Sequence, residues 1–218
     1  MSVIVVQKKV LQRNDELAAV NRERLRAAGL FTLNLVSSPG AGKTTLLEKT
    51  LARLQGRVRI GVVEGDVQTD IDAQRIARTG APVVQIVTDG ACHLEAKTVG
   101  EALNALPLAE LDVVVIENVG NLVCPAAYDL GEDAKVVLLS TPEGEEKPLK
   151  YPAMFRNASV LVLTKTDLVP HLPCDLGKLR ENALRINPDL AIFEVSATTG
   201  EGLDAWCSWI EASARSRR

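Results

Sequence analysis

The residues with the clearest chemistry form a glycine-rich loop, SSPGAGKTT, which covers residues 37–45. The apolar segment FTLNLV precedes it and the helical pattern LLEKTLARL follows it, so the loop joins a strand to the N-terminus of a helix. Backbone N–H groups in such a loop, together with the helix dipole, bind phosphate. The residues expected to hold a nucleoside phosphate are Gly40, Ala41, Gly42, Lys43, Thr44 and Thr45.

Two side chains of this loop have specific expected roles. Lys43 should reach the β- and γ-phosphates and act in catalysis, and the Thr44 hydroxyl should bind Mg²⁺. The usual pattern has glycine five positions before Gly42, where this chain has Ser37. The simpler alternative is a glycine-rich turn that leads into a helix. Because strand, GKTT and helix are in register, the pattern favours nucleotide binding.

Two later loops indicate which base the nucleotide carries. One strand candidate, SVLVL, ends in TKTD, and another, IFEV, ends in SATTG. A carboxylate at Asp167 can accept two N–H groups from the guanine edge and would repel the acceptors of adenine, which disfavours an ATP-using enzyme such as a kinase. Lys165 is expected to pack over the base, and Ser196 and Ala197 to complete the pocket. The common form of the first loop has asparagine where this chain has Thr164.

Acidic side chains after two strand candidates are candidates for binding Mg²⁺ and the attacking water. Asp66 follows a strand and a glycine, where a carboxylate can approach Mg²⁺ or orient water. Asp70 and Asp72 lie where a helix should begin, and the helix dipole alone would explain acids there. Glu117 ends another strand and is a second candidate for the shell of the metal, with Gly120 as a γ-phosphate sensor through its N–H. The catalytic candidates are therefore Lys43, Asp66, Asp70 and Glu117.

A second kind of metal site is indicated by three cysteine and histidine residues. Cys92 and His93, and then Cys124, follow neighbouring strand candidates, so folding should bring them to one edge of the sheet. Two thiolates and an imidazole suit Zn²⁺ or Ni²⁺. Three ligands leave a tetrahedral site one short, so it would be open to water or completed by a second subunit. The alternative is that these cysteines are core residues. Cys174 and Cys207 lack such neighbours.

Strand candidates alternate with helical patterns through the rest of the chain. Several strands are continuous runs of Val, Ile and Leu, as in a sheet that is covered on both faces. The alternation predicts an α/β fold with a doubly wound, mostly parallel sheet, helices on both faces, and ligands at the carboxyl ends of the strands. The predicted strands are Phe31–Val36, Val58–Val63, Val83–Val87, Val113–Ile116, Val136–Leu139, Ser159–Leu163 and Ile192–Val195. The predicted helices cover residues 43–54, 70–79, 93–106, 175–186 and 202–214.

The N-terminal segment has a pattern of its own. Apolar residues at helical spacing predict an amphipathic helix over residues 14–28, which ends at Gly29 and packs on the main domain. We therefore divide the chain into a leading segment, residues 1–29, and a nucleotide-binding domain, residues 30–218.

Composition excludes several classes of protein. Hydrophobic residues make up 46% of the 218 residues and charged residues 24%, which is typical of a globular domain. The net charge of −3 and an aromatic content of 3% argue against nucleic acid or an anionic membrane as partner. The N-terminus has no signal-peptide pattern and no apolar run is long enough to span a bilayer, so a cytoplasmic location with reduced thiols is expected.

The motifs SSPGAGKTT, EGDVQTDIDAQR, the Cys92-His93 pair, ENVGNLVCP and EEKPLKYPAMF together resemble the HypB family of hydrogenase nickel-incorporation GTPases. The resemblance runs from about Asn14 to the segment SATTGEGL, which is nearly the whole chain. Its most specific part is ENVGNLVCP with the upstream CH pair, and serine at position 37 is typical of this family.

The resemblance implies a P-loop GTPase that assists nickel insertion into the large subunit of [NiFe]-hydrogenase. It implies GTP/GDP, Mg²⁺ and Ni²⁺ or Zn²⁺ as cofactors, with the last of these bound by Cys92, His93 and Cys124 at a homodimer interface. The implied partners are a second copy in a GTP-linked homodimer, a nickel-binding zinc protein and the precursor of the hydrogenase large subunit. Nucleotide state would control dimerisation and metal affinity.

The N-terminal nickel-binding segment of some family members is missing from this chain. Some members carry an N-terminal Cys-rich nickel motif or a His-rich tract, whereas here the first cysteine is Cys92 and the first histidine is His93. Nickel would therefore be handled by the internal cluster.

The nearest alternative function is that of the urease accessory GTPase, whose metal motif is Cys-Pro-His. The other alternative is a GTP-dependent switch without a metal function.

Overall fold

A sheet of seven strands forms the centre of the computed structural model, which describes residues 6–217. The strands are β1 (Phe31–Ser37), β2 (Ile60–Asp66), β3 (Val83–Val87), β4 (Val113–Glu117), β5 (Ala134–Ser140), β6 (Val160–Thr164) and β7 (Ala191–Val195). Every neighbouring pair is parallel, and the spatial order is β3-β2-β4-β1-β5-β6-β7. The predicted doubly wound sheet is confirmed.

Helices cover both faces of this sheet. They are α1 (Val6–Ala27), α2 (Lys43–Leu54), α3 (Ile71–Ala77), α4 (Ala96–Ala102), α5 (Lys147–Lys150), α6 (Pro152–Arg156), α7 (Leu176–Ile186) and α8 (Leu203–Arg215). Within residues 6–217, none of these helices combines the length and apolar character that crossing a bilayer requires.

Alternate residues of the central strands face different layers of the core. Val62 and Val115 pack in one cluster with residues of α2 and α8. Their neighbours Val63 and Val114 pack in another cluster with Leu25 of α1 and residues of α4. Each of these side chains is almost fully buried, which contributes about 1.5–3 kcal/mol per side chain. The continuous apolar runs of the sequence therefore contribute side chains to two core clusters, one on each face of the sheet.

The leading helix α1 lies along α4. Ala18 and Leu25 of α1 are buried, and a Cβ added at Gly100 of α4 would lie 2.7 Å from Asn21 Oδ1, so glycine permits the close packing. The predicted bounds of this helix were wrong, because it begins at Val6 and ends at Ala27. The part of the leading segment before residue 6 lies outside the described residues.

The helix predicted over residues 93–106 is much shorter than expected. Only α4 is helical, and Cys92 and His93 lie in the loop before it rather than in its first turn. The cause is tertiary, because the N–H groups of Leu94 and Ala96 each donate to the side chain of a distant asparagine. These bonds hold the segment in the loop conformation that carries the Cys92-His93 pair.

Other predicted ends of strands and helices differ from the observed ones by a few residues. Strand β2 continues through Asp66, so this residue ends the strand instead of following it. Helix α3 begins at Ile71 and is shorter than the predicted 70–79. The short helices α5 and α6 have proline in their first turns and were not predicted, because four or five residues are too few to show a periodicity.

Candidate nucleotide and metal site

The phosphate loop runs from the carboxyl end of β1 to the first turn of α2. Gly40 and Gly42 have φ angles of 74° and 95°, a region that favours glycine, and Gly42 is the residue directly before the helix. The loop therefore delivers its backbone N–H groups to the N-terminus of α2, where the helix dipole favours an anion.

Both departures from the usual motifs make contacts with this loop. Ser37 Oγ lies 3.1 Å from Lys43 Nζ, so the serine holds the lysine across the loop. The Thr164 hydroxyl donates to the Ala41 carbonyl over 2.7 Å, which joins the end of β6 to the loop. These residues are thus integrated into the site.

Glu64, Asp72 and Glu117 form a carboxylate cluster beside the phosphate loop. One oxygen of each lies within 4.8 Å of the others. Glu64 and Glu117 occupy paired positions on the neighbouring strands β2 and β4, so strand register sets their spacing. The Thr44 hydroxyl donates to Glu117 Oε1 over 2.7 Å, which connects the cluster to the loop.

Burial gives this cluster unusual electrostatics. Burial and the neighbouring Glu117 carboxyl raise the pKa of Glu64 to about 10, and burial also raises the pKa of Glu117. Oε2 of each is buried without a hydrogen-bond partner among the described residues. Buried carboxylate oxygens next to a phosphate loop are ligands suited to Mg²⁺, whose charge would favour their ionised forms. The donor set therefore fits Mg²⁺.

Two of the predicted acids, Asp66 and Asp70, lie outside this cluster. Asp66 Oδ1 accepts hydrogen bonds from the N–H groups of Gln68 and Thr69 at 2.8 and 3.0 Å. Partial burial opposes ionisation, but these backbone donors outweigh it and lower the pKa of Asp66. Asp66 lines the pocket beside the loop. Asp70 is exposed before α3, and its Oδ2 accepts from Gln74 Nε2 over 2.9 Å.

Gly120 lies against the phosphate loop. A Cβ at this position would be 3.0 Å from the Pro39 Cα, so glycine lets the two backbones approach this closely. Gly120 lines the same pocket as Lys43 and Glu117. This proximity supports contact between the Gly120 N–H and a terminal phosphate, which stays a prediction.

The two loops that are predicted to recognise the base meet beside the phosphate loop. Lys165 Nζ donates to the Gly40 carbonyl over 2.8 Å. The Ser196 hydroxyl donates to Asp167 Oδ1 over 2.6 Å, so the second loop orients the carboxylate of the first. Ala197 follows in the same loop and is half-buried. The four predicted base-recognition residues are therefore brought together.

Cys92, His93 and Cys124 come together at the same edge of the sheet, as predicted. Cys92 Sγ lies 2.8 Å from Cys124 Sγ and 3.6 Å from His93 Nδ1. The hydrogen bond to Cys124 and burial raise the pKa of Cys92, while burial lowers the pKa of His93. A neutral imidazole is ready to bind a metal, whereas the thiols must first lose their protons. The half-buried cluster can hold a soft ion and remain open on one side.

An aromatic side chain restrains the histidine of this cluster. The rings of His93 and Tyr128 have their centroids 3.9 Å apart with a tilt of 42°. His93 Nε2 is buried and has no hydrogen-bond partner in the described part of the chain. Contact with Tyr128 limits rotation of the imidazole.

A buried lysine supports the short 3₁₀ turn that begins at Cys124. Lys135 Nζ donates to the carbonyl oxygens of Pro125 and Tyr128 over 3.1 and 2.9 Å. It also lies 3.7 Å from a carboxylate oxygen of Glu132. These contacts fasten the turn to β5.

Glu64 and Asp72 are site residues to which the sequence alone assigns no role. In sequence the helix dipole accounts for Asp72, but in the structure its carboxylate joins the cluster and accepts from Arg75 over 3.1 Å. A signal for Glu64 was present, because it interrupts an apolar strand just as Glu117 ends one. A charged residue in a buried strand requires a partner.

The parallel sheet, the phosphate loop and the paired base-recognition loops define a P-loop GTPase. A profile described as CobW/HypB/UreG, nucleotide-binding domain, matches residues 31–194. The chain belongs to this family, as one of its HypB members.

Individual relatives agree with this placement. Hydrogenase maturation factor HypB of Rhizobium leguminosarum bv. viciae is 53% identical over 215 residues, which cover 99% of this chain and 72% of that protein. A crystal structure of HypB from Helicobacter pylori in complex with nickel has a TM-score of 0.90 at 39% identity, covering 94% of this chain and 96% of that one. For HypB from Archaeoglobus fulgidus the TM-score is 0.87 at 36% identity, with 93% and 99% covered.

Proposed function

We propose that this protein is a GTPase that couples GTP binding and hydrolysis to nickel delivery during [NiFe]-hydrogenase maturation. The observation that carries the proposal is the convergence of Cys92, His93 and Cys124 at the sheet edge that also bears the phosphate loop. A phosphate loop alone serves many functions, whereas two thiols and an imidazole select a soft or borderline metal. The similarity to hydrogenase maturation factors supports the same client.

Binding of the triphosphate is assigned to the loop and to two residues around it. Lys43, held by Ser37, places a positive charge at the β- and γ-phosphates. The N–H of Gly120 contacts the γ-phosphate, since Gly120 packs against the loop and lines the same pocket as Lys43. The lysine charge and the backbone N–H donor together stabilise the negative charge that develops in phosphoryl transfer.

Mg²⁺ binding is assigned to Thr44 and the adjacent carboxylates. Mg²⁺ held there would neutralise negative charge that develops on the phosphates. Thr44 and Glu117, already hydrogen-bonded, present oxygens to the ion, and Glu64 extends this ligand set. Asp66, with its lowered pKa, orients the attacking water or joins the shell of the metal. Asp70 is the alternative for water positioning, at the exposed start of α3.

Guanine specificity is assigned to the two base-recognition loops. Asp167 accepts two N–H groups of the guanine edge, and the hydrogen bond from Ser196 holds the carboxylate in place. The Lys165 stem packs over the base, and the backbone at Ala197 completes the pocket. Adenine would place an acceptor against the carboxylate.

The metal ion at the thiol cluster is cargo, which the protein takes up and hands on. With only three ligands, the cluster accepts Ni²⁺ or Zn²⁺ and leaves a position for water or for a ligand from a second copy. We place the protein in the cytoplasm as a GTP-linked homodimer. Its proposed partners are a nickel-binding zinc protein and the hydrogenase large-subunit precursor.

Sedimentation of the reduced protein with a GTP analogue, with and without Ni²⁺, tests this function. Metal content would be read in each peak. We expect a dimer with the analogue and Ni²⁺ in the protein peak. A nucleotide-binding protein that holds neither Ni²⁺ nor Zn²⁺ would instead be a metal-independent switch, and competition of ATP against GTP checks the base.

A further inference from the structure

A buried asparagine, Asn118, joins the nucleotide pocket to the loop that carries two metal ligands. Asn118 is 1% exposed. Its Oδ1 accepts hydrogen bonds from the N–H of Val119 at 3.0 Å and from the N–H of Leu94 at 3.1 Å. Val119 precedes Gly120 at the phosphate loop, and Leu94 follows His93. One oxygen atom therefore touches both segments.

Contacts with the centre of the sheet fix the orientation of the Asn118 side-chain amide. Asn118 Nδ2 donates to Asn34 Oδ1 over 3.2 Å, and Asn34 Nδ2 donates to Glu132 Oε1 over 3.0 Å. The backbone N–H of Asn118 donates to the Leu35 carbonyl of β1 over 2.9 Å. Because its amide nitrogen is engaged by the centre of the sheet, the oxygen must face the two loops.

We infer that Asn118 is a positioning residue that makes metal affinity at Cys92 and His93 depend on the bound nucleotide. The inference rests on the proposed function and names the side chain through which its two sites communicate. When the segment at Gly120 moves with the γ-phosphate, the shared acceptor moves relative to the Leu94 N–H. The metal loop is then held differently with GTP than with GDP, which is a coupling free energy between the sites.

Asn14 provides a matched comparison on the same loop. It is also buried, and its Oδ1 accepts the N–H of Ala96 over 2.8 Å, only two residues beyond Leu94. Its Nδ2 donates to the Asp129 carbonyl over 2.7 Å. Asn14 belongs to α1 and does not line the nucleotide pocket. Both asparagines support the metal loop, but only Asn118 reaches the phosphate side.

The test is the Ni²⁺ affinity of the full chain, measured by competition with a chromophoric chelator, with a GTP analogue or GDP at saturation. In the wild type we expect the two affinities to differ by about fivefold or more. In Asn118→Ala this ratio should fall below about twofold, while in Asn14→Ala affinity should fall equally in both states and keep the wild-type ratio. Thermal melting of each variant checks that it is folded.

Retention of the wild-type ratio in Asn118→Ala would overturn the inference. A wild type that binds Ni²⁺ equally in both states would also overturn it, and would leave the proposed metal binding intact. Absence of Ni²⁺ binding by the wild type would instead remove the proposed function. Amide exchange at Leu94 in the wild-type protein gives a second measure that needs no variant. We expect different exchange rates with the analogue and with GDP, and equal rates would contradict the inference.

Discussion

The two ligand clusters of this molecule are carried by different kinds of element. Glu64 and Glu117 lie at paired positions of two central strands, and each is only 2% exposed. Cys92 lies in a loop and Cys124 begins a short 3₁₀ turn at the same edge, and both are half-buried. Val123, directly before Cys124, is 63% exposed. The carboxylate cluster is thus part of the core, whereas the cysteine and histidine cluster is partly exposed to solvent.

We propose that this difference separates a catalytic ion that stays in place from a cargo ion that is exchanged. Phosphoryl transfer requires hard oxygen ligands in a fixed geometry, which paired strands provide. Delivery requires soft ligands that can loosen or regroup, which loops held by a few hydrogen bonds provide. Single substitutions should show whether the two clusters can be disabled separately.

The largest effect is expected at the phosphate loop. Lys43→Ala removes the charge that faces the β- and γ-phosphates and should lower kcat for GTP hydrolysis by about 10³-fold, the upper end of the range for one lost electrostatic contact. Ni²⁺ content of the purified, nucleotide-free protein should not change. Lys49→Ala, on the exposed side of the same helix, is the control. Loss of Ni²⁺ from Lys43→Ala would show that the clusters are not separable.

The reciprocal change is Cys124→Ser. It replaces a thiolate ligand with a hydroxyl and should weaken Ni²⁺ binding by more than about 100-fold, beyond the usual effect of residues that only support ligands. GTP affinity measured without Ni²⁺ should stay within about twofold, which is less than 1 kcal/mol. Equilibrium dialysis and nucleotide titration measure the two quantities. Cys174→Ser is the matched control, and an equal loss there would refute the assigned ligands.

A smaller effect is expected from the ring that restrains His93. Tyr128→Leu should reduce Ni²⁺ affinity about tenfold, because the imidazole loses its fixed orientation. Hydrolysis of GTP should be unaffected. Tyr151→Leu is the control, since Tyr151 contacts Lys147 and not the cluster. Unchanged Ni²⁺ affinity in Tyr128→Leu would mean that the loops alone orient the histidine.

The smallest effect is one of stability and tests the burial of the carboxylates. The pKa of Glu64 is about 10 in the folded protein against 4.5 for an ordinary glutamate, so the unfolded chain releases this proton more easily. The free energy of unfolding should therefore fall as pH rises from about 4.5 towards about 10. Glu64→Gln has no proton to release and should melt higher at neutral pH without Mg²⁺, by about 2–4 °C for each kcal/mol of this effect.

Thermal melts of this variant across pH measure the effect, with the exposed Glu101→Gln as control. Wild type and Glu64→Gln should converge at low pH, where both carry a neutral side chain at this position. A constant difference between them at every pH would contradict the raised pKa. Loss of Mg²⁺-dependent GTP binding in the same variant would add support for Glu64 as a ligand.

Much of the site could be predicted because parallel strands all end at one edge. The placing of Lys43 after β1, and of Cys92 and Cys124 after their strands, was enough to bring phosphate loop and thiols together. Glu64 and Asp72 could not be assigned in the same way. Glu64 joins the cluster because β2 pairs with β4, and Asp72 joins it from helix α3, and neither arrangement is visible in local spacing.

Short-range patterns in the chain encode the alternation of strands and helices, the phosphate loop and the order of the thiol and imidazole residues. The start of α4 and the support of the Cys92-His93 loop depend instead on long-range contacts made on folding. The acceptors for that loop, Asn14 and Asn118, come from other parts of the chain. The N–H groups of Leu94 and Ala96 bond to these distant side chains, and the helix therefore begins later than local preference predicts.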